Sequence, residues 1–319
     1  MNNSIPATTT LRPARWIASP LLRAMRPKQW VKNIFVFAGI VFARGHLLLQ
    51  PDAVGRVVAA FIFFCLTSSS VYLINDLVDR ERDRQHPEKR FRPIASGELA
   101  PWIATVFAIV LPVVCVSAAL VLAFRVTPVD AGWLAFAAVL AVYFLLQLAY
   151  SFALKHIILV DLFVITAGFI LRAIGGALVL SVSITMWWLL SVFFLSLFLG
   201  LGKRRHELSV LMGQAGAHRR TLEEYSPQLI DQLLMIDVAC TIMVYSQATF
   251  SAPLASSLPY PFLTLTIPLV VFALFRYLYL VVQKGNGGEP ADLLLRDRPL
   301  GFAVVLCGLM VLIIQTMRF

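Results

Sequence analysis

Charged residues are scarce in this chain. Asp, Glu, Lys and Arg together make up 14% of the 319 residues, whereas hydrophobic residues make up 59%, and the mean hydropathy is +0.81. These proportions exclude an ordinary soluble domain, in which about 25% of residues are charged. The net charge is +10, but the Lys and Arg residues lie beside apolar runs, so this charge indicates a membrane protein and not a nucleic-acid binder.

Cysteine is rare as well. The four cysteines stand singly inside apolar runs, which excludes both metal-site spacing and a disulfide framework. The N-terminal region has no apolar centre of the kind that signal peptides contain, and residues 1–25 are predicted to form a cytoplasmic tail. Since no later polar stretch is long enough for a soluble domain, residues 26–319 are predicted to form a single nine-helix transmembrane catalytic domain.

Apolar runs of about 20 residues, the length that crosses a bilayer as a helix, recur along the chain. The fold class is therefore predicted to be all-α, a polytopic membrane protein of about nine transmembrane helices. Most of the 27 Lys and Arg residues fall in connections on one side, which places that side and the N-terminus in the cytosol and the C-terminus outside. The predicted spans lie near 31–49, 54–77, 101–124, 131–150, 157–180, 185–202, 229–250, 262–283 and 300–317.

The densest polar sequence follows the second apolar run, where Tyr72–Gly97 reads YLINDLVDRERDRQHPEKRFRPIASG. If the helix continues, Asn75, Asp79 and Asp83 fall at i, i+4 and i+8 and share one face. Asp76 lies beside them. Amide and carboxylate oxygens on one face suit Mg²⁺, which prefers oxygen ligands and keeps positions open for substrate. The alternative is a solvated, charge-mixed loop between two spans.

Other polar residues are candidates for binding a substrate that carries phosphate. The fork of an Arg side chain matches phosphate oxygens bidentately, and a diphosphate keeps negative charge after a metal has bound. For several of these residues the alternative is anchoring at the membrane surface. The candidate substrate contacts are Lys28, Lys32, Asn33, Tyr72, Asp76, Lys89, Arg90, Arg92, Tyr150, Lys155, Arg172 and Lys203.

Two charged residues, Asp161 and Arg172, fall inside an apolar run. They are eleven residues, or about three helical turns, apart, so they share one face. An ionised side chain at membrane depth is costly unless it is paired or faces a wet cavity. Asp161 is therefore interpreted as a catalytic residue that lines the same polar cavity as Lys155 and Asp79. The alternative is a structural ion pair with another span.

The motif and several longer segments resemble a known family. Asn75–Asp83 matches NDxxDxxxD, the signature of the UbiA superfamily of intramembrane prenyltransferases, and the resemblance extends from about Arg26 to the end. Within that superfamily the chain is most similar to the decaprenyl-phosphate phosphoribosyltransferases. The segments that carry this similarity are RPKQWVKN (Arg26–Asn33), HPEKRFRPIASG (His86–Gly97), LKHIILVDLFVITAGFILRAIGG (Leu154–Gly176) and LLLRDRPL (Leu293–Leu300).

The resemblance implies nine helices around a central cavity that opens to the cytosol. It implies Mg²⁺-dependent transfer of 5-phosphoribose from 5-phosphoribosyl 1-diphosphate to a polyprenyl (decaprenyl) phosphate, with release of diphosphate. Asn75, Asp79 and Asp83 would hold the metal, and Asp79, Asp83 and Asp161 are the expected catalytic residues. The expected partners are these two substrates and the inner (plasma) membrane. A homo-oligomer is compatible with the sequence, and no nucleic acid is expected.

Two alternatives stay open at this stage. One is a UbiA-type prenyltransferase that moves an isoprenoid from its diphosphate to an aromatic acceptor. Those relatives carry a second motif, DxxxD, but Ile165 stands four residues after Asp161 here, which disfavours a prenyl diphosphate donor. The other alternative is a non-catalytic carrier of lipid phosphate, for which charged residues would be expected on both faces.

Overall fold

A computed structural model describes residues 15–42, 47–125, 128–211, 225–251, 261–285 and 290–316, and the regular structure in these ranges is helical. The α-helices are α1 (Arg15–Met25), α2 (Ala38–Phe42), α3 (Pro51–Val78), α4 (Arg80–Gln85), α5 (Pro101–Phe124), α6 (Ala131–Phe152), α7 (Val160–Val179), α8 (Met186–Leu211), α9 (Pro227–Ser251), α10 (Ile267–Val282), α11 (Pro290–Arg296) and α12 (Arg298–Thr316). Helices of the 3₁₀ type span Pro27–Phe37, Leu47–Leu49, Lys89–Phe91, Leu154–His156 and Phe262–Thr266.

Within the described ranges, seven helices are long and apolar enough to cross a membrane. They are α3, α5, α6, α7, α8, α9 and the continuous segment Phe262–Val282. A shorter apolar helix spans Arg298–Ile314. The all-α membrane class predicted from composition is confirmed, and the chain is a multi-pass membrane protein. The count of nine spans stays a prediction.

The first predicted span, near 31–49, is built in an unexpected way. Pro27–Phe37 is a 3₁₀ helix of 11 residues, and α2 continues it, while residues 43–46 lie outside the described ranges. A 3₁₀ helix rises about 2.0 Å per residue and an α-helix about 1.5 Å. The segment from Pro27 to Phe42 therefore extends about 30 Å along its axis, which is the thickness of the hydrocarbon core.

Hydrogen bonds from side chains fasten this 3₁₀ helix to α3. Trp30 Nε1 donates to Ser69 Oγ at 3.0 Å, and Asn33 Nδ2 donates to Ser68 Oγ at 3.4 Å. The next hydroxyl of the run, Ser70 Oγ, donates to the carbonyl of Ala108 on α5 at 2.5 Å. The buried hydroxyl run of α3 therefore positions both of its neighbours.

Helix α7 packs against α6, α8 and the Pro27–Phe37 helix. Gly176 makes the last of these contacts possible, because a Cβ at that position would lie 1.8 Å from the carbonyl oxygen of Val36. Small residues allow this close approach between membrane helices. The predicted N-terminal tail contains α1, whose last residues, Ala24 and Met25, pack with Leu73 of α3.

Candidate active site

The site begins where α3 passes into α4. The helix expected to run from the second span through Asp83 is interrupted at Asp79, which has φ −90° and ψ 7°. Its hydrogen-bond register is nevertheless kept: Asp79 N–H donates to the Asn75 carbonyl at 2.9 Å, and Asp83 N–H donates to the Asp79 carbonyl at 2.8 Å. Asn75, Asp79 and Asp83 therefore stay four residues apart in an i→i−4 ladder.

Two acidic side chains of this region are buried and share one arginine. Asp76 is 1% exposed and Asp83 is 4% exposed. Arg92 Nη1 donates to Asp76 Oδ1 at 3.1 Å and to Asp83 Oδ2 at 2.7 Å, and Arg26 also pairs with Asp76. Arg26 lies at a left-handed backbone turn (φ 53°) between α1 and the 3₁₀ helix, and its guanidinium also lies 5.1 Å from the centre of the Tyr72 ring.

The third acidic residue, Asp79, meets a different cation. Lys155 Nζ lies 3.2 Å from Asp79 Oδ1 and 3.3 Å from Oδ2. Lys155 is buried on the Leu154–His156 turn between α6 and α7. The structure thus brings Lys155 to Asp79, although 76 residues separate them in the chain.

Asp161, near the start of α7, is 1% exposed and pairs with another span. Arg204 of α8 donates from Nε to Asp161 Oδ2 at 3.0 Å, and its Nη2 lies 2.8 Å from the same oxygen. Arg204 also pairs with Glu207. This is the interhelical ion pair that the sequence left open as the alternative for Asp161. The polar partners of Asp161 among the described residues are Arg204 and the hydroxyl of Tyr225, which donates to Oδ1 at 3.4 Å.

The chain is strained just before Asp161. Leu159 has φ 64° and ψ −41°, and Val160 N–H donates to the Ile158 carbonyl at 2.8 Å. This geometry is a γ-turn of the rare, strained form, in which the central residue has positive φ. The Tyr225 hydroxyl accepts a hydrogen bond from Leu159 N–H at 2.8 Å. Burial raises the pKa of Tyr225 above its ordinary value, so the hydroxyl keeps the proton that it donates to Asp161.

Arg172 lies deeper in the bundle with Asn33, and both side chains are buried. Arg172 Nε donates to Asn33 Oδ1 at 2.6 Å, and Nη2 donates to the Tyr143 hydroxyl at 2.7 Å. Its guanidinium also lies over the rings of Tyr143 and Phe169, at 4.8 and 5.1 Å from their centres. The sequence placed Arg172 and Asp161 on one helix face, and the structure gives them different partners.

The remaining candidate residues differ in exposure. Lys28, Lys89 and Arg90 are exposed, and Arg90 covers the ring of Phe91 at 4.8 Å. Half-buried positions are held by Lys32, Tyr72, Tyr150 and Lys203.

Sequence reasoning missed three partner residues of the site: Arg26, Tyr225 and Arg204. Arg204 stands in the Lys-Arg-Arg triplet 203–205, for which the sequence leaves two interpretations open, an anchor at the membrane surface or part of a lid over the site. Helical periodicity could have separated it from its neighbours, since Leu201, Arg204 and Leu208 fall on one face and all three are buried. Arg205, by contrast, pairs with Asp231 of α9 near the surface.

The donor chemistry of Asn75, Asp79 and Asp83 fits Mg²⁺, because all three offer oxygen ligands. In the described part of the chain, no three His, Cys, Asp or Glu side chains are grouped as metal ligands. Lys155 holds Asp79 and Arg92 holds Asp83 instead. These two cations are also the kind of group that binds phosphate oxygens.

Comparison with known proteins identifies the family of the chain. The model of the UbiA prenyltransferase family matches residues 33–294. The decaprenyl-phosphate phosphoribosyltransferase of Mycolicibacterium smegmatis is 35% identical over 92% of this chain and 92% of its own length. The enzyme of that name from Corynebacterium glutamicum is 34% identical over 98% of this chain and 95% of its own.

A solved structure has the same fold. The UbiA homolog from Archaeoglobus fulgidus bound to DMAPP and Mg²⁺ has a TM-score of 0.68 and 15% identity, and the match covers 94% of this chain and 100% of that one. The match of the family model over most of the chain, together with these relatives, places the chain in the UbiA prenyltransferase family.

Proposed function

We propose that this protein transfers 5-phosphoribose from 5-phosphoribosyl 1-diphosphate to a polyprenyl phosphate and releases diphosphate. The observation that carries the proposal is the group of three motif carboxylates, each paired with a cation, where α3 passes into α4. Its relatives of similar length, named decaprenyl-phosphate phosphoribosyltransferases, supply the substrate class.

Asn75, Asp79 and Asp83 are the residues that would hold Mg²⁺. Bound there, the metal would neutralise negative charge on the leaving diphosphate. Lys155 and Arg92 now lie against Asp79 and Asp83. Both cations would turn to phosphate oxygens when the substrate binds, which would free the carboxylates.

The remaining chemistry needs positioning more than proton transfer. The C1–O bond to diphosphate breaks while an oxygen of the lipid phosphate bonds to C1, and that oxygen is already anionic, so no strong general base is required. Positive charge developing on the ribose resembles that in other glycosyl transfers. Asp161 is a positioning candidate, because its carboxylate orients Arg204. Contacts to phosphate are assigned to Lys28, Lys32, Lys89 and Arg90.

The reaction is assigned to the cytosolic face of the inner (plasma) membrane. The basic connections support a cytosolic N-terminus and an external C-terminus by the positive-inside rule. A soluble sugar phosphate would reach the motif from the cytosol, and the lipid tail would stay in the bilayer.

The second candidate is transfer of an isoprenoid from its diphosphate to an aromatic acceptor. The likeness of fold to a UbiA homolog bound to DMAPP favours it. Against it stands the missing second motif, since Ile165 occupies the position of its second carboxylate and Asp161 pairs with Arg204.

The test uses the purified protein in lipid nanodiscs with radiolabelled phosphoribosyl diphosphate and a polyprenyl phosphate, with Mg²⁺ or with EDTA. Labelled lipid is expected only with Mg²⁺. A parallel reaction with labelled geranyl diphosphate and an aromatic acid tests the second candidate. No labelled lipid from the first reaction, or prenylated aromatic product from the second, would overturn the proposal.

A further inference from the structure

Arg172 is a buried cation that the described residues leave without a counter-ion. It is 6% exposed, and its polar partners, Asn33 and the Tyr143 hydroxyl, are both neutral. No described carboxylate forms an ion pair with it, whereas the buried Arg204 pairs with both Asp161 and Glu207.

An arginine cannot avoid the cost of a buried, unpaired charge by losing its proton. Asp237 of α9 is also buried, and both of its carboxylate oxygens lack a hydrogen-bond partner among the described residues, but a carboxyl group becomes neutral when it takes up a proton. The guanidinium stays charged at every pH that a protein meets. A charge held inside a membrane bundle is usually paired or faces a functional cavity, so the missing anion must come from outside the described chain.

Hydrogen bonds fix the side chain of Arg172, and one of its guanidinium nitrogens has no acceptor among the described residues. Nε and Nη2 are occupied, and Nη1 donates to no group in the described ranges. Nη1 and the Gln147 side-chain amide both lie beside Gly168, since a Cβ there would lie 3.3 Å from Nη1 and 2.9 Å from Gln147 Nε2. A guanidinium held by Asn33 and Tyr143, with a further amide donor nearby, is suited to an oxyanion.

This position is separate from the motif carboxylates. Asn33, which holds Arg172, donates to Cys65 Sγ at 3.2 Å, and Cys65 precedes Asp76 on α3 by eleven residues. At a rise of 1.5 Å per residue the two levels are about 16 Å apart along α3. A diphosphate bound at the motif would therefore leave Arg172 without an anion.

An apolar cavity lies close by, on the other side of two aromatic rings that meet edge to face. Phe169 lies under Arg172, and Phe35 meets Phe169 edge to face with ring centres 5.0 Å apart. Phe35 lines a cavity of about 470 Å³, the other walls of which include Val192, Val270 and Val311. Two aromatic rings therefore separate the guanidinium from this apolar cavity.

We propose that Arg172, held by Asn33 and Tyr143, binds a phosphate monoester inside the bundle, separately from the diphosphate at the motif. This inference rests on the proposed function, because the lipid phosphate and the 5-phosphate of the sugar are the two monoesters that its substrates carry.

The test measures ligand-induced shifts in Tm of the nanodisc-embedded protein, since a ligand that binds the folded state stabilises it. The probes are farnesyl phosphate, farnesol, ribose 5-phosphate, and inorganic diphosphate with Mg²⁺. For Arg172→Met we expect the Kd of at least one monoester to rise about tenfold or more, while the shift with Mg²⁺ and diphosphate is unchanged. Arg56→Met, at a different arginine, is the matched control and keeps every shift.

Each probe decides a separate point. Loss of the farnesyl phosphate shift, with farnesol unaffected, identifies the lipid phosphate as the ligand, and loss of the ribose 5-phosphate shift identifies the sugar phosphate. Unchanged monoester shifts, or an equal loss with diphosphate, overturn the inference. Arg172→Lys keeps the positive charge but lacks the forked guanidinium, and it is the variant to use if Arg172→Met does not fold. A monoester shift that is undiminished in Arg172→Lys also contradicts the inference. These shifts need no turnover, so they separate this inference from failure of the transfer reaction.

Discussion

At the scale of single residues, the site is a set of charges that are individually satisfied by opposite charges. Asp76 and Asp83 share Arg92, Asp79 meets Lys155, and a further pair joins α7 to α8. Each motif carboxylate is therefore paired with a basic side chain. On the proposed function, substrate phosphates would compete for these cations, and substrate binding would then be coupled to exchange of ion-pair partners.

Asp79→Asn and Asp83→Asn should each reduce lipid labelling by at least about a hundredfold, because a neutral amide is a weaker metal ligand and neutralises less charge. Far-UV circular dichroism should stay unchanged. Glu81→Gln, on the same short helix but with a side chain 73% exposed, is the control and should retain activity. Normal turnover in either Asp variant would contradict the metal assignment.

Arg204→Met should destabilise the fold by about 3–5 kcal/mol, because it leaves the carboxylate of Asp161 buried and unpaired. Equilibrium unfolding in denaturant measures the loss. The neighbouring Arg205→Met removes a more exposed pair with Asp231 and should cost at most about 1 kcal/mol. Equal losses in the two variants would show that burial of the Asp161 pair has no special weight.

Local spacing in the sequence predicted the alignment of the motif residues but not the ion pair between Arg204 and Asp161. Asn75, Asp79 and Asp83 could be aligned from the sequence because the i, i+4 relation belongs to one helix. Arg204 and Asp161 are 43 residues apart on different helices, and their pairing depends on how α7 and α8 pack. The sequence of a basic run at the membrane surface does not reveal whether the side chain of one member is buried between helices.

At the scale of the helix, the Pro27–Phe37 segment is the element that sequence reasoning could not describe. Hydropathy predicts where apolar segments lie, because the bilayer demands about 20 apolar residues of an α-helix. It carries no information on winding, since both helix types satisfy their backbone groups internally. The 3₁₀ form here is held by long-range bonds from Trp30 and Asn33 to α3, which only the folded chain provides.

Gly176→Ala should destabilise the protein by about 3 kcal/mol or more, because its Cβ would meet the Val36 carbonyl at 1.8 Å and neither backbone can yield cheaply. Gly55→Ala is the matched control: a Cβ there meets nothing within 4 Å, and Ala favours the helix by up to about 1 kcal/mol. Thermal unfolding compares the two. A stable Gly176→Ala variant would mean that α7 does not need this close contact.

At the scale of the whole molecule, the two ends of the bundle are closed by different ion pairs. At the end remote from the motif, Arg56 joins three helices: it donates to Asp130 Oδ2 at 2.6 Å and to the Val179 carbonyl at 2.5 Å. Asp130 in turn caps α6 by accepting from Gly132 N–H at 2.9 Å and Trp133 N–H at 3.2 Å. The Arg56–Asp130 pair therefore ties α3, α6 and α7 together.

Acid should loosen this end of the bundle. Burial alone would raise the pKa of Asp130, but the hydrogen bonds from Arg56 and from the backbone N–H groups of Trp133 and Gly132 hold it below its ordinary value. The stabilisation is therefore complete above the ordinary pKa, near 4, and is lost as pH falls through the lower folded value. Asp130→Asn should lower Tm at pH 7 and flatten the fall of Tm below about pH 4; an unchanged pH profile would contradict the assignment.

The stretched winding of the first membrane segment has a consequence for the proposed substrate contacts. Rewinding eleven residues from the 3₁₀ to the α form would shorten the segment by about 5 Å and rotate its side chains around the axis. Lys28 and Lys32 would then lie at a different depth in the membrane and point in a different direction around the helix axis, relative to the acidic motif. On the proposed function, Ser68 and Ser69 of α3 would therefore set how far these lysines reach towards a phosphate, because they hold Asn33 and Trp30 of the 3₁₀ helix.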